Sequence, residues 1–168
     1  MSSHDDDVEG RGQGWRTLAA LHARLEDRLE RSLQAEHQLS VTEYTVLDVL
    51  NRQDEHHLRM NQLADTVVLS QSATTRLVSR LEDQGLLSRY ICATDRRGIY
   101  TEVTEAGRAR LARARTVHDR TLAAALTEAE QRPELAVLVA ALRETLWAPS
   151  RGPASADRQA PSGGNAEV

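Results

Sequence analysis

Leucines recur at helical spacing along the first patterned stretch: Leu18, Leu21, Leu25 and Leu29, with Leu33 one turn on, while Arg and Glu fill the other faces. The pattern predicts a long amphipathic helix from about Trp15 to His37. Ser40-Val41-Thr42-Glu43 then has the form of a capping box, a Ser cap with Glu three residues on, ahead of Tyr44, Leu47 and Leu50. Asp54-Glu55-His56-His57 ends this second helix. Met60, Leu63, Ala64 and Val67 sit at i, i+3, i+4 and i+7 and predict a short third one. Ser70 caps a fourth, which stops at Gly85 because glycine accepts positive φ. There the period changes. The runs Leu87–Ala93 and Ile99–Val103 are β-prone, and Thr94-Asp95-Arg96-Arg97-Gly98 between them reads as a hairpin tip. Thr104 with Glu105 opens a further helix through about Leu126, broken before Pro133, and Leu135, Leu138, Leu142 and Leu146 mark a last one. The fold class expected is mainly α (α+β), with the small hairpin between the helices.

Composition narrows the picture. A chain of 168 residues suits one core with tails. Residues 1–14 are acidic, Gly-rich and aperiodic, and 148–168 are rich in Pro, Gly, Ala and Ser, so both are expected to be disordered around an ordered body of 15–147. A net charge of −4 means that nucleic-acid contact would need a local basic patch. All 21 basic residues are arginine. Cys92 is the only cysteine, which excludes an intrachain disulfide and a Cys-based zinc site, and nothing around it marks a thiol sensor. With no signal-peptide pattern and no apolar run near membrane-spanning length, a cytoplasmic protein without membrane contact is expected. No nucleophile–base pair, phosphate-cradling glycine loop or paired carboxylates stand out, so the expectation is a non-enzyme without a cofactor.

The stretch SQSATTRLVSRLEDQGLL, residues 70–87, spends hydroxyls on the first turns of a helix, where they compete for backbone hydrogen bonds. On a helical wheel Ala73, Leu77, Val78 and Leu81 face inward, leaving Gln71, Ser72, Thr75, Arg76 and Ser79 as an outward polar stripe. Short polar side chains permit close approach to another surface, and N–H groups at a helix start favour phosphate oxygens. A short helix, a tight turn and such a second helix form a helix-turn-helix, with Ser70, Gln71, Ser72, Thr74, Thr75, Arg76 and Arg80 as candidate DNA contacts. The stripe alone is equally a solvated face. The hairpin favours DNA: Arg96 and Arg97 at its tip and Arg89 on its strand suit a narrow minor groove. Asp95, being acidic, fits better as an internal partner orienting Arg97.

Together LSVTEYTVLDVL, LADTVVLSQSATTRLVSRLEDQGLL and TDRRGIYTEVTEAG resemble the multiple-antibiotic-resistance regulator (MarR) family of winged helix-turn-helix repressors, over about residues 15–147. The resemblance implies a mainly α homodimer whose first and last helices intertwine, with two DNA-binding lobes (about 40–104 in each chain) and often a small-molecule pocket where lobe meets dimer interface. The dimerisation helices would be about 15–37 and 105–147. Carried onto matching positions, Ser70 to Arg76 become recognition-helix contacts, Asp95 and Arg97 the wing pair, and Arg96 the wing-tip contact. Val68 departs from the pattern, since many members have Gly there. A β-branched residue tolerates positive φ badly, so a different turn geometry is expected.

Residue accounting also argues for a dimer. The stripes Leu18, Leu21, Leu25 and Leu138, Leu142, Leu146 lie at opposite ends of the chain, and a small lobe cannot cover both. A twin's copies would, at about 1.5–3 kcal/mol per buried Leu. The function expected is a sequence-specific regulator, a ligand-responsive repressor, binding double-stranded DNA at a pseudo-palindrome with half-sites about 10 bp apart. One alternative is a helical dimer that binds a protein or small molecule without DNA. Another is a metal-responsive winged-helix regulator using His56 and His57. Adjacent residues on a strand point to opposite faces, so that pair chelates poorly and reads better as a solvated turn entering a short strand. His22, His37 and His118 could line an effector pocket or simply lie at a surface.

Overall fold

The computed structural model describes residues 2–91 and 98–146, with side chains from residue 9 and through 145. Helix α1 spans Ser2–His37, α2 Val41–Asn51, α3 Met60–Thr66, α4 Gln71–Asp83, α5 Glu105–Glu130 and α6 Pro133–Leu146. A 3-10 turn at Asp54–His56 leads into strand β1 at His57–Arg59, and the hairpin strands are β2, Leu87–Ile91, and β3, Ile99–Val103. The sheet is antiparallel with order β1-β3-β2, and Leu87 opposite Val103 and Ile91 opposite Ile99 fix the hairpin register.

Most of these boundaries follow from caps. Ser40 Oγ accepts the Glu43 N–H at 3.0 Å while Glu43 Oε2 accepts the Ser40 N–H at 2.8 Å, the full capping box. Ser70 Oγ accepts the Ala73 N–H, and Thr104 Oγ1 accepts that of Gly107. Helix α1 differs from expectation. It begins at Ser2, and the aperiodic tail expected over residues 1–14 is helical from residue 2. No proline interrupts that segment. Gly10, Gly12 and Gly14 each oppose helix by about 1 kcal/mol.

Two apolar clusters hold the chain together. The larger lies in the lobe, where Leu39, Val46, Leu47, Leu50, Leu63, Leu77, Val78 and Leu81 pack with Leu33 from α1 and Leu111 from α5. The smaller joins Leu21 of α1 to Leu126 and Ala129 of α5 and Leu135 and Val139 of α6. This corrects the accounting for one stripe: Leu21 is 2% exposed within its own chain. Leu25, Leu138 and Leu142 are half-covered by the same cluster. The α5–α6 pair folds back on α1, so a twin is not needed for those leucines. What stays exposed is Trp15 at 69%, Leu18 at 46% and Val137 at 79%. The Leu146 side chain lies outside the described residues.

The turn between α3 and α4 also corrects an expectation. Val68 adopts φ +56°, the left-handed conformation that glycine would adopt. Leu69 N–H bonds the Ala64 carbonyl at 3.0 Å and Val68 N–H bonds that of Asp65 at 3.3 Å, the paired closure of a Schellman motif. Gly85 (φ +71°) closes α4 with the same pair of bonds, from Leu86 to Leu81 and from Gly85 to Glu82. The closing bonds outweigh the left-handed penalty of about 1–2 kcal/mol for an L residue. Substituting Val68→Asn is therefore expected to raise folding stability by about 1 kcal/mol in a denaturant titration.

Gly107 is constrained by space instead. A Cβ there would lie 2.2 Å from the Leu86 carbonyl oxygen and 2.8 Å from Val103 Cγ2. Thr104 completes the joint, donating Oγ1–H to the Gly85 carbonyl at 2.8 Å, with its N–H bonded to the Leu86 carbonyl. Gly107→Ala should lower stability by about 3 kcal/mol through backbone displacement, seen as a lower midpoint with an unchanged denaturant slope.

Candidate nucleic-acid interface

Helix α4 presents its first two turns outward. Gln71, Ser72, Thr75 and Arg76 are exposed, Ser70 precedes them as cap, and its Oγ lies 3.3 Å from Ser72 Oγ. Thr75 turns its hydroxyl onto the Gln71 carbonyl at 2.9 Å, leaving its methyl and the Gln71 amide at the surface. Thr74 does not belong to this face. It is fully buried, its Oγ1–H bonded to the Ser70 carbonyl at 3.0 Å, so a DNA-contact role for it is corrected to a core role. Positions 74, 77, 78 and 81 form one inward stripe at i, i+3, i+4 and i+7. Ala73, placed inward on the wheel, is half-exposed beside it.

The arginines divide by their partners. Arg76 is exposed and forms no ion pair or side-chain hydrogen bond with the described residues, so its five donors are available to a ligand. Arg80 pairs through Nε with Glu43 Oε1 at 2.9 Å, tying the recognition helix to the start of α2. Arg89, at the root of the wing on β2, sends both Nε and Nη2 to Glu82 Oε2, at 2.9 and 2.5 Å. Arg80 and Arg89 thus position elements through carboxylates of the lobe, and each retains exposed surface. Asp95, Arg96, Arg97 and Cys92 lie outside the described residues.

Behind the hairpin, His57 meets Tyr90 and Tyr100 edge-on at 6.0 and 5.4 Å, and Arg59 donates Nε–H to the Tyr100 hydroxyl at 2.9 Å. His57 is thereby a packing residue of the sheet, while His56 sits at φ +60° with Nδ1 3.0 Å from the Asn51 carbonyl. Among the described residues no three His, Cys, Asp or Glu side chains converge as a metal site.

A second polar constellation occupies the junction of the lobe with the long helices. Tyr44 of α2 stacks on His118 of α5 with ring centroids 4.3 Å apart. Asp48 of α2 pairs with Arg115 of α5 at 2.7 Å and with Arg52 at 2.6 Å. Burial, and after it the Asp48 charge, pushes the Tyr44 phenol above its ordinary pKa, so it is a neutral hydroxyl at physiological pH. Arg115 Nε and His37 Nε2 are buried and have no hydrogen-bond partner among the described residues. Of the histidines singled out from sequence, His118 belongs to this cluster. His37 lies at the end of α1, and His22 is an exposed partner of Glu26. Tyr44, Asp48 and Arg115 carried no local signal, because 67 residues separate Asp48 from Arg115.

Comparison with known proteins agrees with this geometry. A family model described as MarR family matches residues 37–98, the lobe through the hairpin tip. Among solved structures, AbsC, a MarR family transcriptional regulator from Streptomyces coelicolor, superposes with a TM-score of 0.66 at 28% identity, over 78% of this chain and 88% of that one. A second MarR family regulator from the same organism, solved in complex with DNA, gives 0.65 at 27% identity, over 90% of this chain and 93% of that one. The chain is similar to MarR family regulators in the lobe's sequence and in the fold. The HTH-type transcriptional regulator MhqR of Bacillus subtilis (strain 168) is 30% identical over 90 residues, 54% of this chain. The chain spans about 60% of the length of that curated relative.

The two classes of arginine should separate in stability measurements. A double-mutant cycle of Arg80→Ala with Glu43→Gln is expected to give a coupling of about 1 kcal/mol, because one member of the pair is buried and the other largely exposed. Arg76→Ala should change folding stability by less than about 0.5 kcal/mol.

Proposed function

We propose that this chain is a homodimeric, sequence-specific DNA-binding transcriptional regulator, acting as a ligand-responsive repressor in the cytoplasm. The observation that carries the reading is the exposed Ser-Gln-Ser-Thr face of α4 ending in Arg76, which has no ion-pair partner among the described residues. One turn further along the helix, the pairing of Arg80 with buried Glu43 holds α4 against α2. A free guanidinium beside short hydroxyl side chains is suited to a major-groove edge, where Arg reads guanine O6 and N7. The N–H groups at the start of α4, with Ser70 and Ser72 beside them, suit a phosphate oxygen. Arg89 at the wing root, and Arg96 and Arg97 beyond it in the sequence, would supply the minor-groove and backbone contacts. The relative solved with DNA supports the assignment of double-stranded DNA as partner.

Dimerisation is supported by the apolar surface that the single chain leaves uncovered, Trp15, Leu18 and Val137 on α1 and α6. A two-fold axis relating the long helices would place two α4 tips toward neighbouring major grooves. The Tyr44–His118 stack and the Asp48–Arg115 pair lie where the lobe joins those helices, the position at which a small organic effector would shift one lobe against the other. Among the described residues no helix is long and apolar enough to cross a membrane.

Selection of bound duplexes from a random pool should return a pseudo-palindrome with half-sites about 10 bp apart. Arg76→Ala is then expected to weaken that site by about 1–3 kcal/mol while leaving non-specific binding nearly unchanged. Absence of any selected motif in dilute salt would remove the reading. For the dimer, Leu18→Glu with Val137→Glu is expected to halve the mass seen by light scattering, and an unchanged mass would relocate the interface.

A further inference from the structure

Outside the lobe, charged side chains line a half-open cleft between α1 and α5. Arg24, Asp27, Arg28 and Arg31 line it from α1, Ala125, Glu128 and Ala129 from α5, and Arg132 from the turn between α5 and α6. The α1 set follows i, i+3, i+4, i+7, and Ala125, Glu128 and Ala129 face it at i, i+3, i+4 on α5. Two cross-helix ion pairs fix their register: Glu36 with Arg120, and Arg28 with Glu128. From the first pair to the second is eight residues back along α1 and eight forward along α5. The helices are therefore antiparallel here, and Arg24, one turn back from Arg28 on α1, shares the cleft with Arg132, just past the end of α5.

Arg28 is matched by Glu128 and Arg31 by Asp27 at 2.6 Å. Arg24 and Arg132 form no ion pair or side-chain hydrogen bond with the described residues. The cleft thus holds four guanidinium groups against two carboxylates, an excess of two positive charges. Guanidinium does not release its proton in proteins, so this repulsion cannot be relieved by titration, as it could with lysine. The floor is made of Ala125 and Ala129, both buried, whose methyl groups leave the space open. Its volume is about 160 Å³, which is room for about five waters or one compact polyatomic anion.

We propose that this cleft binds a small free dianion, an oxyanion of the phosphate type or a short dicarboxylate, bridging Arg24 and Arg132. Planar guanidinium forks bind paired oxygens in a bidentate manner, and one fork on α1 with another in the α5–α6 turn would join the two through the ligand. The site is separate from the α4 face and from the Tyr44 cluster, and it stands whether or not the chain binds DNA.

The test is calorimetric titration of the full chain in chloride buffer at matched ionic strength, with inorganic phosphate in one arm and succinate in the other. Saturable binding of one anion per chain is expected in at least one arm, and the arm that responds identifies the ligand type. Arg24→Gln with Arg132→Gln should weaken it at least tenfold. Arg24→Lys with Arg132→Lys, which keeps the charge but loses the fork, should weaken it less. A control with the same change in net charge, Arg11→Gln with Arg113→Gln, should bind as the parent does. No saturable heat in either arm, or equal loss in the control, would overturn the proposal. A cleft closed by the twin in the dimer would give the first of those results. Should the Gln variant not fold, binding by the Lys variant equal to the parent's would overturn it as well.

Discussion

A carboxylate that is almost wholly out of water has to be satisfied, and in this chain the Glu43 side chain is satisfied by the two elements that most need fixing. One oxygen accepts the Ser40 N–H and closes the start of α2; the other takes Arg80 from the last turn of α4. Breaking such a pair exposes a group whose desolvation has already been spent. A neighbouring bond extends the chain of contacts: Glu30 Oε2 accepts the Val41 N–H at 2.7 Å, so α1 also meets the lobe through a charged hydrogen bond to a helix N-terminus. The recognition helix is thereby oriented by α2 and, one step removed, by the long helix.

This arrangement explains why basic residues near the candidate interface do different work. Arg80 and Arg89 are held by Glu43 and Glu82 and fix the angle of the helix and the root of the wing. Arg76 has no such anchor among the described residues. A protein with net charge −4 can present a locally positive face when the cations facing outward are unpaired and the acids nearby are turned inward.

Much of the lobe was legible from sequence because its boundaries are written in local chemistry. Ser40 with Glu43, Ser70, Gly85 and Thr104 each satisfy backbone groups within a few residues, and the structure uses each of them in that way. Thr74 misled because its hydroxyl drew it to the polar set. Its spacing from Leu77, Val78 and Leu81 already put it on the inner stripe, where the i−4 carbonyl absorbs the hydroxyl. Val68 misled in the opposite sense: intrinsic preference argued against positive φ, and the two closing bonds of the turn prevailed. Leu21 could not be assigned correctly from one dimension, because its cover comes from α5 and α6 of the same chain. The Tyr44–His118 and Asp48–Arg115 contacts are tertiary and have no signature along the chain.

The meeting of Gly107 with the Leu86 carbonyl has a mechanical consequence. With no side chain between them and Thr104 bonded across the same joint, the base of the hairpin and the start of α5 have no slack. A tilt of α5 is delivered to the wing root as through a crank, without a soft hinge to absorb it.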